Sequence, residues 1–294
     1  MNIHSFVDHY TVLMGALVAG RRKFFAESTA SRTLPELLES TAMQLPAAEG
    51  EGSYEVPTGS AVGPLDPAFF VAQWHGAGHP TLIYHHGNNE RPFAFNPWSK
   101  NTFQDIIYAH RDLFPANLIA LRAPFHQSLG LYLDKITDLE NFASMLMASV
   151  RLIEALQAWS RAQGSTSILV SGVSLGGWVT NLHRAYYNSA DVYLPMLAGA
   201  ALDEVFLSSA YRRLTGDLAL RDPEAVRRTL NFEGAYRAVE SANVFPLLAR
   251  HDAIIVCERQ QQAYTHVTTI DKGHTTAVLA AGALRAFLLE HLPA

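Results

Sequence analysis

The fold is decided by one stretch of sequence, Ser167-Ile168-Leu169-Val170-Ser171-Gly172-Val173-Ser174-Leu175-Gly176-Gly177-Trp178-Val179-Thr180-Asn181-Leu182. The apolar run at its start predicts a buried strand, and the residues from Gly177 onward predict a helix. Between the two lies the pattern G-x-S-x-G, with Ser174 at its centre. The stretch therefore predicts a strand, a tight turn and a helix, with a serine at the apex of the turn.

The two glycines of the pattern have a steric reason. A serine on such a turn has a strained backbone, and a side chain two residues before or after it would collide with the neighbouring strand or helix. Gly172 and Gly176 avoid that collision, so we expect the Ser174 hydroxyl to point outward above the sheet edge. The N–H of Leu175, at the helix N-terminus, is expected to stabilise negative charge there. A Gly-rich turn with a capping serine is the alternative interpretation.

The residues around this stretch predict an α/β fold. Short apolar runs bounded by Gly or Pro predict strands, and periodic runs between them predict helices, of which 138–162 is the clearest, with a capping box at Thr137-Asp138-Leu139-Glu140. This alternation predicts a mostly parallel sheet with helices on both faces, whose reactive groups collect at the carboxyl ends of the strands. The predicted strands are 69–74, 81–84, 116–121, 168–171, 192–197, 244–249 and 266–270, and a closing helix is predicted over 275–289.

Two regions interrupt the alternation. Residues 1–68 predict an N-terminal helical extension, with a capping box at Thr33-Leu34-Pro35-Glu36 and a turn-rich stretch after it. Residues 200–242 contain helical patterns without a strand, which predicts a cap inserted over the strand ends. We therefore divide the chain into an extension, 1–68, and an α/β domain, 69–294, that carries the cap.

The first helix of the extension is predicted to be amphipathic. Apolar residues recur at helical spacing, and we expect them to cover a surface of the same domain or of a second subunit in a homo-oligomer, with attachment to a membrane surface as an alternative. The apolar run 12–20 is too short to span a bilayer, so no transmembrane segment is expected. The residues of this predicted face are Phe6, Tyr10, Leu13, Leu17 and Phe24.

Composition excludes some classes of protein. The chain has 294 residues, 49% of them hydrophobic, which is enough for a globular core. Its net charge is −5 and its longest basic block is Arg21-Arg22-Lys23, so nucleic acid is not an expected partner. A single cysteine, Cys257, suits a reducing compartment, and we expect a cytoplasmic protein in which this thiol is a small buried hydrophobe.

A serine hydroxyl is a poor nucleophile until a neighbouring base takes its proton. Ser174 therefore predicts a histidine on a later loop, and a carboxylate that orients the imidazole. His274 directly follows the last predicted strand, and Asp252 directly follows the strand before it. Asp203 and Asp271 are alternative carboxylates.

From about residue 69 onward, the chain resembles the α/β-hydrolase superfamily, in which a G-x-S-x-G elbow is followed along the chain by an acid and then a histidine. The resemblance implies that Ser174 is the nucleophile, His274 the general base and then acid, and Asp252 the orienting carboxylate. It implies no cofactor.

The resemblance also implies an oxyanion site. Members of the superfamily often carry His-Gly after the strand that corresponds to 81–84, and here the segment is His85-His86-Gly87-Asn88-Asn89-Glu90. The Asn88 N–H is then expected to join the Leu175 N–H. His85 and His86 lack the spacing of known metal motifs, so no metal is expected. The form His-Gly-Asn differs from the His-Gly-Gly-Gly loop of many lipases and esterases.

These features predict a serine hydrolase that cleaves a small carboxylic ester through an acyl-enzyme. A thioesterase, an amidase or peptidase, and an acyltransferase would use the same triad, and a ligand-binding protein without turnover is the non-enzymatic alternative. Aromatic residues near the expected mouth suggest that the ester has an apolar portion. The candidate substrate contacts are Asn89, Glu90, Trp98, His126 and Phe206.

Overall fold

The computed structural model describes residues 2–96, 99–240 and 242–293. Over these residues, strands and helices alternate as the sequence predicts. The strands are β1 (Ala42–Met43), β2 (Gly52–Glu55), β3 (Thr58–Gly59), β4 (Ala68–Gln73), β5 (Thr81–His85), β6 (Asn117–Arg122), β7 (Ile168–Val173), β8 (Val192–Met196), β9 (Leu247–Ala249) and β10 (Thr268–Ile270).

Helices lie before, between and after these strands. They are α1 (Ile3–Ala19), α2 (Leu34–Glu39), α3 (Thr102–Ile106), α4 (Leu129–Lys135), α5 (Leu139–Ala162), α6 (Leu175–Tyr186), α7 (Leu202–Leu207), α8 (Asp217–Arg221), α9 (Pro223–Leu230), α10 (Glu233–Arg237), α11 (Cys257–Gln260), α12 (His274–Val278) and α13 (Ala281–Glu290). Short 3-10 segments lie at Tyr108–Leu113, Ala210–Leu214 and Gln261–Ala263.

Eight of the strands form one sheet, in the order β10-β9-β8-β7-β5-β6-β4-β2. The strands from β5 to β10 are parallel to one another, whereas β4 pairs antiparallel with both β2 and β6. The predicted mostly parallel sheet is therefore confirmed. β5 and β7 are buried along their whole length, as expected for strands covered on both faces.

Alternate residues of β7 enter two separate hydrophobic cores. Ile168 and Val170 pack with residues of α5 and α6, whereas Leu169 packs with residues of α3 and α13. Because successive side chains of a strand point to opposite faces, these two cores cover the two faces of the sheet. Helices on both faces are thus confirmed.

Several local predictions differ from the structure. Helix α5 is capped by Asp138, whose carboxylate accepts the Asn141 N–H at 2.8 Å, so the capping box at Thr137 was wrong. The closing helix is broken into α12 and α13, because Ala280 leaves the helical region with ψ 51°. β2 lies in the stretch read as turns, yet it forms the edge of the main sheet. The division of the chain at residue 68 stays a prediction.

The face that α1 buries is not the predicted one. Asp8, Val12 and Ala19 are buried, and the helix packs on α12 and on Ala210–Leu214. Helix α1 ends at Ala19, with Gly20 as C-cap at φ 60°. Small residues allow this close contact, whereas the sequence prediction followed the larger side chains. The predicted residues within the helix, Phe6, Tyr10, Leu13 and Leu17, are between 45% and 68% exposed.

No helix in the described part of the chain is both long and apolar enough to cross a membrane.

Candidate active site

Ser174 lies at the tight turn between β7 and α6. Its backbone has φ 55° and ψ −112°, a strained conformation for a residue with a side chain. A Cβ at Gly176 would lie 2.1 Å from the His85 carbonyl oxygen, and one at Gly172 would lie 2.5 Å from the Gly176 carbonyl carbon. The close approach of backbone to backbone accounts for both glycines, as predicted.

The structure brings together the serine, the histidine and the acid that the sequence singled out. His274 Nε2 lies 3.0 Å from Ser174 Oγ, and His274 Nδ1 lies 2.7 Å from Asp252 Oδ2. With Nδ1–H donating to the carboxylate, Nε2 is left to accept the serine hydroxyl. The arrangement is that of a nucleophile, a base and a group that orients the base.

Asp252 is held by the turn that follows it. Its Oδ1 accepts the backbone N–H groups of Ile254 and Ile255, at 2.8 Å and 2.6 Å. The two alternative carboxylates are engaged elsewhere: Asp203 accepts a hydrogen bond from Asn231 at 2.9 Å, and Asp271 lies 2.6 Å from His251. Among the three candidates, Asp252 is the one bonded to His274.

Opposing effects act on the pKa values of this pair. Burial alone would lower the pKa of His274, but the charge of Asp252 and its hydrogen bond raise that pKa above the usual value. Burial raises the pKa of Asp252, the charge of His274 opposes that rise, and the charge of Asp8 adds to it. At His274 the charge and hydrogen bond of Asp252 thus outweigh the effect of burial on the pKa.

Asn88 and Leu175, the expected oxyanion donors, line the same cavity as Ser174. The side chain of Asn88 is fixed by two tyrosines: its amide donates to the Tyr211 hydroxyl at 2.7 Å, and its oxygen accepts from the Tyr132 hydroxyl. Lys100 Nζ also donates to the Asn88 carbonyl oxygen at 3.0 Å. The loop is thus held at Asn88 by bonds to both its side chain and its carbonyl oxygen.

Glu90, at the end of the same loop, packs against it and bonds to Thr102. Its buried carboxylate accepts the Thr102 N–H at 2.9 Å and the Thr102 hydroxyl at 2.7 Å, and burial raises its pKa. A Cβ at Gly87 would lie 2.5 Å from Glu90 Oε1, so the loop packs directly on this carboxylate. Glu90 and the exposed Asn89 line the cavity, although the Glu90 carboxylate is committed to Thr102.

The rings of three buried histidines, His85, His86 and His126, are in contact with one another in series. His86 lies between His85 and His126, with ring centroids 4.7 Å and 4.5 Å apart, and its Nε2 accepts the Ala123 N–H at 3.0 Å. Burial lowers the pKa of His85 to about 4 and that of His126 to about 3. His126 bonds to the Pro124 carbonyl oxygen and is not among the residues that line the cavity, so the structure places it behind the site.

A cavity of about 560 Å³ opens beside Ser174 and His274. Helices α1, α5 and α6 and the region 200–242 each contribute residues to its wall. Phe206 lines it as the sequence suggested, whereas Trp98 lies outside the described residues. The apolar wall includes Val12, Phe142, Trp178, Val205, Phe206 and Leu214.

Comparison with known proteins rests on structure alone. No protein-family model matches the sequence, and no curated protein matches it. Two solved acetyl xylan esterases are similar over almost the whole chain. The enzyme from Thermoanaerobacterium sp. JW/SL YS485 is 13% identical, with a TM-score of 0.55 over 96% of this chain and 93% of its own. The enzyme from Paenibacillus sp. R4 is 17% identical, with a TM-score of 0.52 over 97% and 94%.

The chain has the α/β-hydrolase fold. An acylaminoacyl peptidase from Pyrococcus horikoshii is also similar, at 14% identity and a TM-score of 0.55 over 83% of this chain and 42% of that one.

Three residues that bond directly to the loops of this site were not predicted from the sequence. Asp8 is fully buried against the His274 loop, and Tyr132 and Tyr211 fix Asn88. A signal existed for Asp8, since it is a lone carboxylate on the helix face that also carries Val12 and the small residues that follow. No sequence pattern pointed to the tyrosines.

Proposed function

We propose that the protein is a serine hydrolase that cleaves a carboxylic ester through an acyl-enzyme on Ser174. The observation that carries the proposal is the hydrogen-bonded series from Ser174 Oγ through His274 to Asp252, at the edge of an apolar cavity. Binding alone would not need a serine activated by a base.

In the proposed reaction, Ser174 Oγ attacks the acyl carbon as its proton passes to His274 Nε2. The carbonyl oxygen becomes an oxyanion between the N–H groups of Asn88 and Leu175. When the tetrahedral intermediate collapses, His274 gives the proton to the leaving alcohol. A water molecule then repeats the sequence on the acyl-enzyme, which releases the acid and the free serine.

Asp252 contributes through the histidine in this scheme. Its carboxylate holds Nδ1 in the protonated tautomer and stabilises the imidazolium that forms when Ser174 attacks. The two backbone donors at Ile254 and Ile255 keep the carboxylate oriented and oppose the rise in its pKa that burial causes.

The cavity supports an ester with an apolar acyl or alcohol portion. Its wall is largely aliphatic and aromatic, and its volume falls within the usual range for small-molecule sites. Two similar structures are named as acetyl xylan esterases and one as an acylaminoacyl peptidase, which agrees with acyl transfer to a serine. Because the wall is apolar, we expect the protein to prefer esters with a longer apolar chain over esters of a polar sugar.

Labelling with a fluorophosphonate probe tests the nucleophile. The wild-type protein and Ser208→Ala, which alters an exposed serine on the 200–242 region, should be labelled, whereas Ser174→Ala should not. Failure of the folded wild-type protein to react would overturn the proposal in favour of a binding protein.

The bond that is cleaved is tested separately. A panel of p-nitrophenyl esters of graded acyl length, with matched thioesters and aminoacyl amides, should give the highest kcat/KM on an ester longer than acetate. Dominant amide or thioester hydrolysis would keep the nucleophile and overturn the ester assignment.

A further inference from the structure

Asp8, on helix α1, is a buried carboxylate beside the proposed base. Its Oδ2 accepts the His274 N–H at 2.8 Å, and its Oδ1 accepts the Thr275 N–H at 2.8 Å. The side chain is fully buried and forms no ion pair with any described residue. A buried carboxylate is costly unless it is well bonded, so this contact is a strong constraint on the loop.

The same carboxylate also reaches the loop of the acid. Asp8 Oδ2 accepts the N–H of Ala253, the residue after Asp252, at 3.1 Å. One side chain therefore bonds to the backbone beside both members of the His274–Asp252 pair. Asp8 itself does not line the cavity.

Helix α1 lies directly against Gly273, the residue before His274. A Cβ at Gly273 would lie 2.8 Å from Asp8 Oδ2 and 2.9 Å from the His4 carbonyl oxygen. Gly273 has φ −92°, which any residue adopts, so the close approach of α1 is what requires a glycine here. His4 Nδ1 adds a further contact with Thr276 at 2.9 Å.

We infer that Asp8 is a positioning residue that joins the acid loop to the base loop and supplies a second negative charge beside His274. The inference rests on the proposed function of the triad. It makes the N-terminal helix a part of the active site rather than an appendage to the α/β domain.

The charges around His274 give this inference a direction. Asp252 and Asp8 favour the imidazolium, whereas burial and Lys100 disfavour it. His4 contacts Thr276, which lies in α12 with His274. Its ring stacks on His251, with the centroids 6.0 Å apart. Removal of the Asp8 charge alone should therefore lower the pKa of His274.

The test compares Asp8→Asn with Asp134→Asn, which makes the same change at an exposed acid on α4. In the Asp8 variant, we expect kcat to fall on the order of tenfold with KM unchanged, and the acidic limb of the kcat/KM profile to move down by on the order of one pH unit. Asp134→Asn should leave both unchanged. A residue that only stabilised the fold would not move the pH profile.

A second readout does not depend on turnover. The pKa of His274 can be followed by NMR, with the signal assigned by its loss in His274→Asn, and it should fall in Asp8→Asn. If Asp8→Asn does not fold, Asp8→Glu carries the test: the charge is kept and the oxygens are displaced, so kcat should fall while the His274 pKa stays near the wild-type value.

Failure of this inference is distinguishable from failure of the proposed function. A His274 pKa and a kcat that are the same in wild type and Asp8→Asn would overturn the inference and leave the hydrolase intact. Absence of fluorophosphonate labelling in wild type would overturn the proposed function, and the NMR titration would still decide whether Asp8 acts on His274.

Discussion

The serine and the histidine of the site are held in different ways. Ser174 is placed by its own strand and by the strands beside it, through contacts such as that between Gly176 and the His85 carbonyl group. His274 is placed by a helix that lies 266 residues away in the sequence, through Asp8. The proposed nucleophile thus depends on a local motif, whereas the proposed base depends on a contact that only the complete fold creates.

The largest effect is expected on the histidine side, at the acid. Asp252→Asn keeps the shape of the side chain but allows the wrong tautomer of His274, so kcat should fall on the order of 10⁴-fold. Asp203→Asn is the matched control, since that carboxylate binds Asn231 instead. Equal losses in the two variants, measured on the best p-nitrophenyl ester, would contradict the assignment of Asp252.

The same contrast explains which parts of the site could be predicted from the sequence. Strand, turn and helix around Ser174 follow from a short pattern, and Asp252 and His274 directly follow apolar runs, so their approximate positions could be predicted. The pairing of parallel strands then brings the three together at one sheet edge.

The remaining features depend on contacts between distant segments. The buried face of α1 is built from small residues around Asp8, and hydrophobic periodicity favours the larger apolar residues of the opposite face. His126 follows a strand end as a pocket residue would, yet its ring packs against those of His86 and Tyr132 and does not line the cavity. Neither the buried face of α1 nor the position of His126 can be predicted from the spacing of residue types.

The second prediction compares one glycine from each side of the site. Gly176→Ala would place a Cβ 2.1 Å from the backbone of β5, so the central sheet must shift, and we expect a loss of about 4 kcal/mol in the free energy of unfolding. Gly273→Ala displaces only the peripheral α1, and a loss of about 1 to 2 kcal/mol is expected, with a fall in kcat. Urea unfolding measures both.

An equal loss of stability in the two alanine variants would show that α1 is as deeply integrated as the central sheet. A Gly273→Ala variant with unchanged kcat would instead separate the packing of α1 from the position of His274.

The third prediction uses pH, because the histidines on the two sides respond in opposite directions. His126, whose ring packs against His86, has a pKa lowered by burial from 6.5 to about 3, so between about pH 6.5 and pH 3 the unfolded chain binds a proton that the folded protein does not. This group alone should lower the free energy of unfolding by roughly 3 kcal/mol between pH 7 and pH 4. His274 has a raised pKa, so its contribution to stability is present below pH 6.5 and is lost as pH rises through its folded pKa.

The variant His126→Phe keeps an aromatic ring beside His86 and Tyr132 and removes the titrating group. Its free energy of unfolding should fall less between pH 7 and pH 4 than that of wild type, by roughly 3 kcal/mol, in urea titrations at both pH values. His110→Phe, at an exposed histidine, should keep the wild-type dependence. If His126→Phe also keeps the wild-type dependence, the acid sensitivity does not arise at His126. The contrast between the two sides of the site would then not extend to stability.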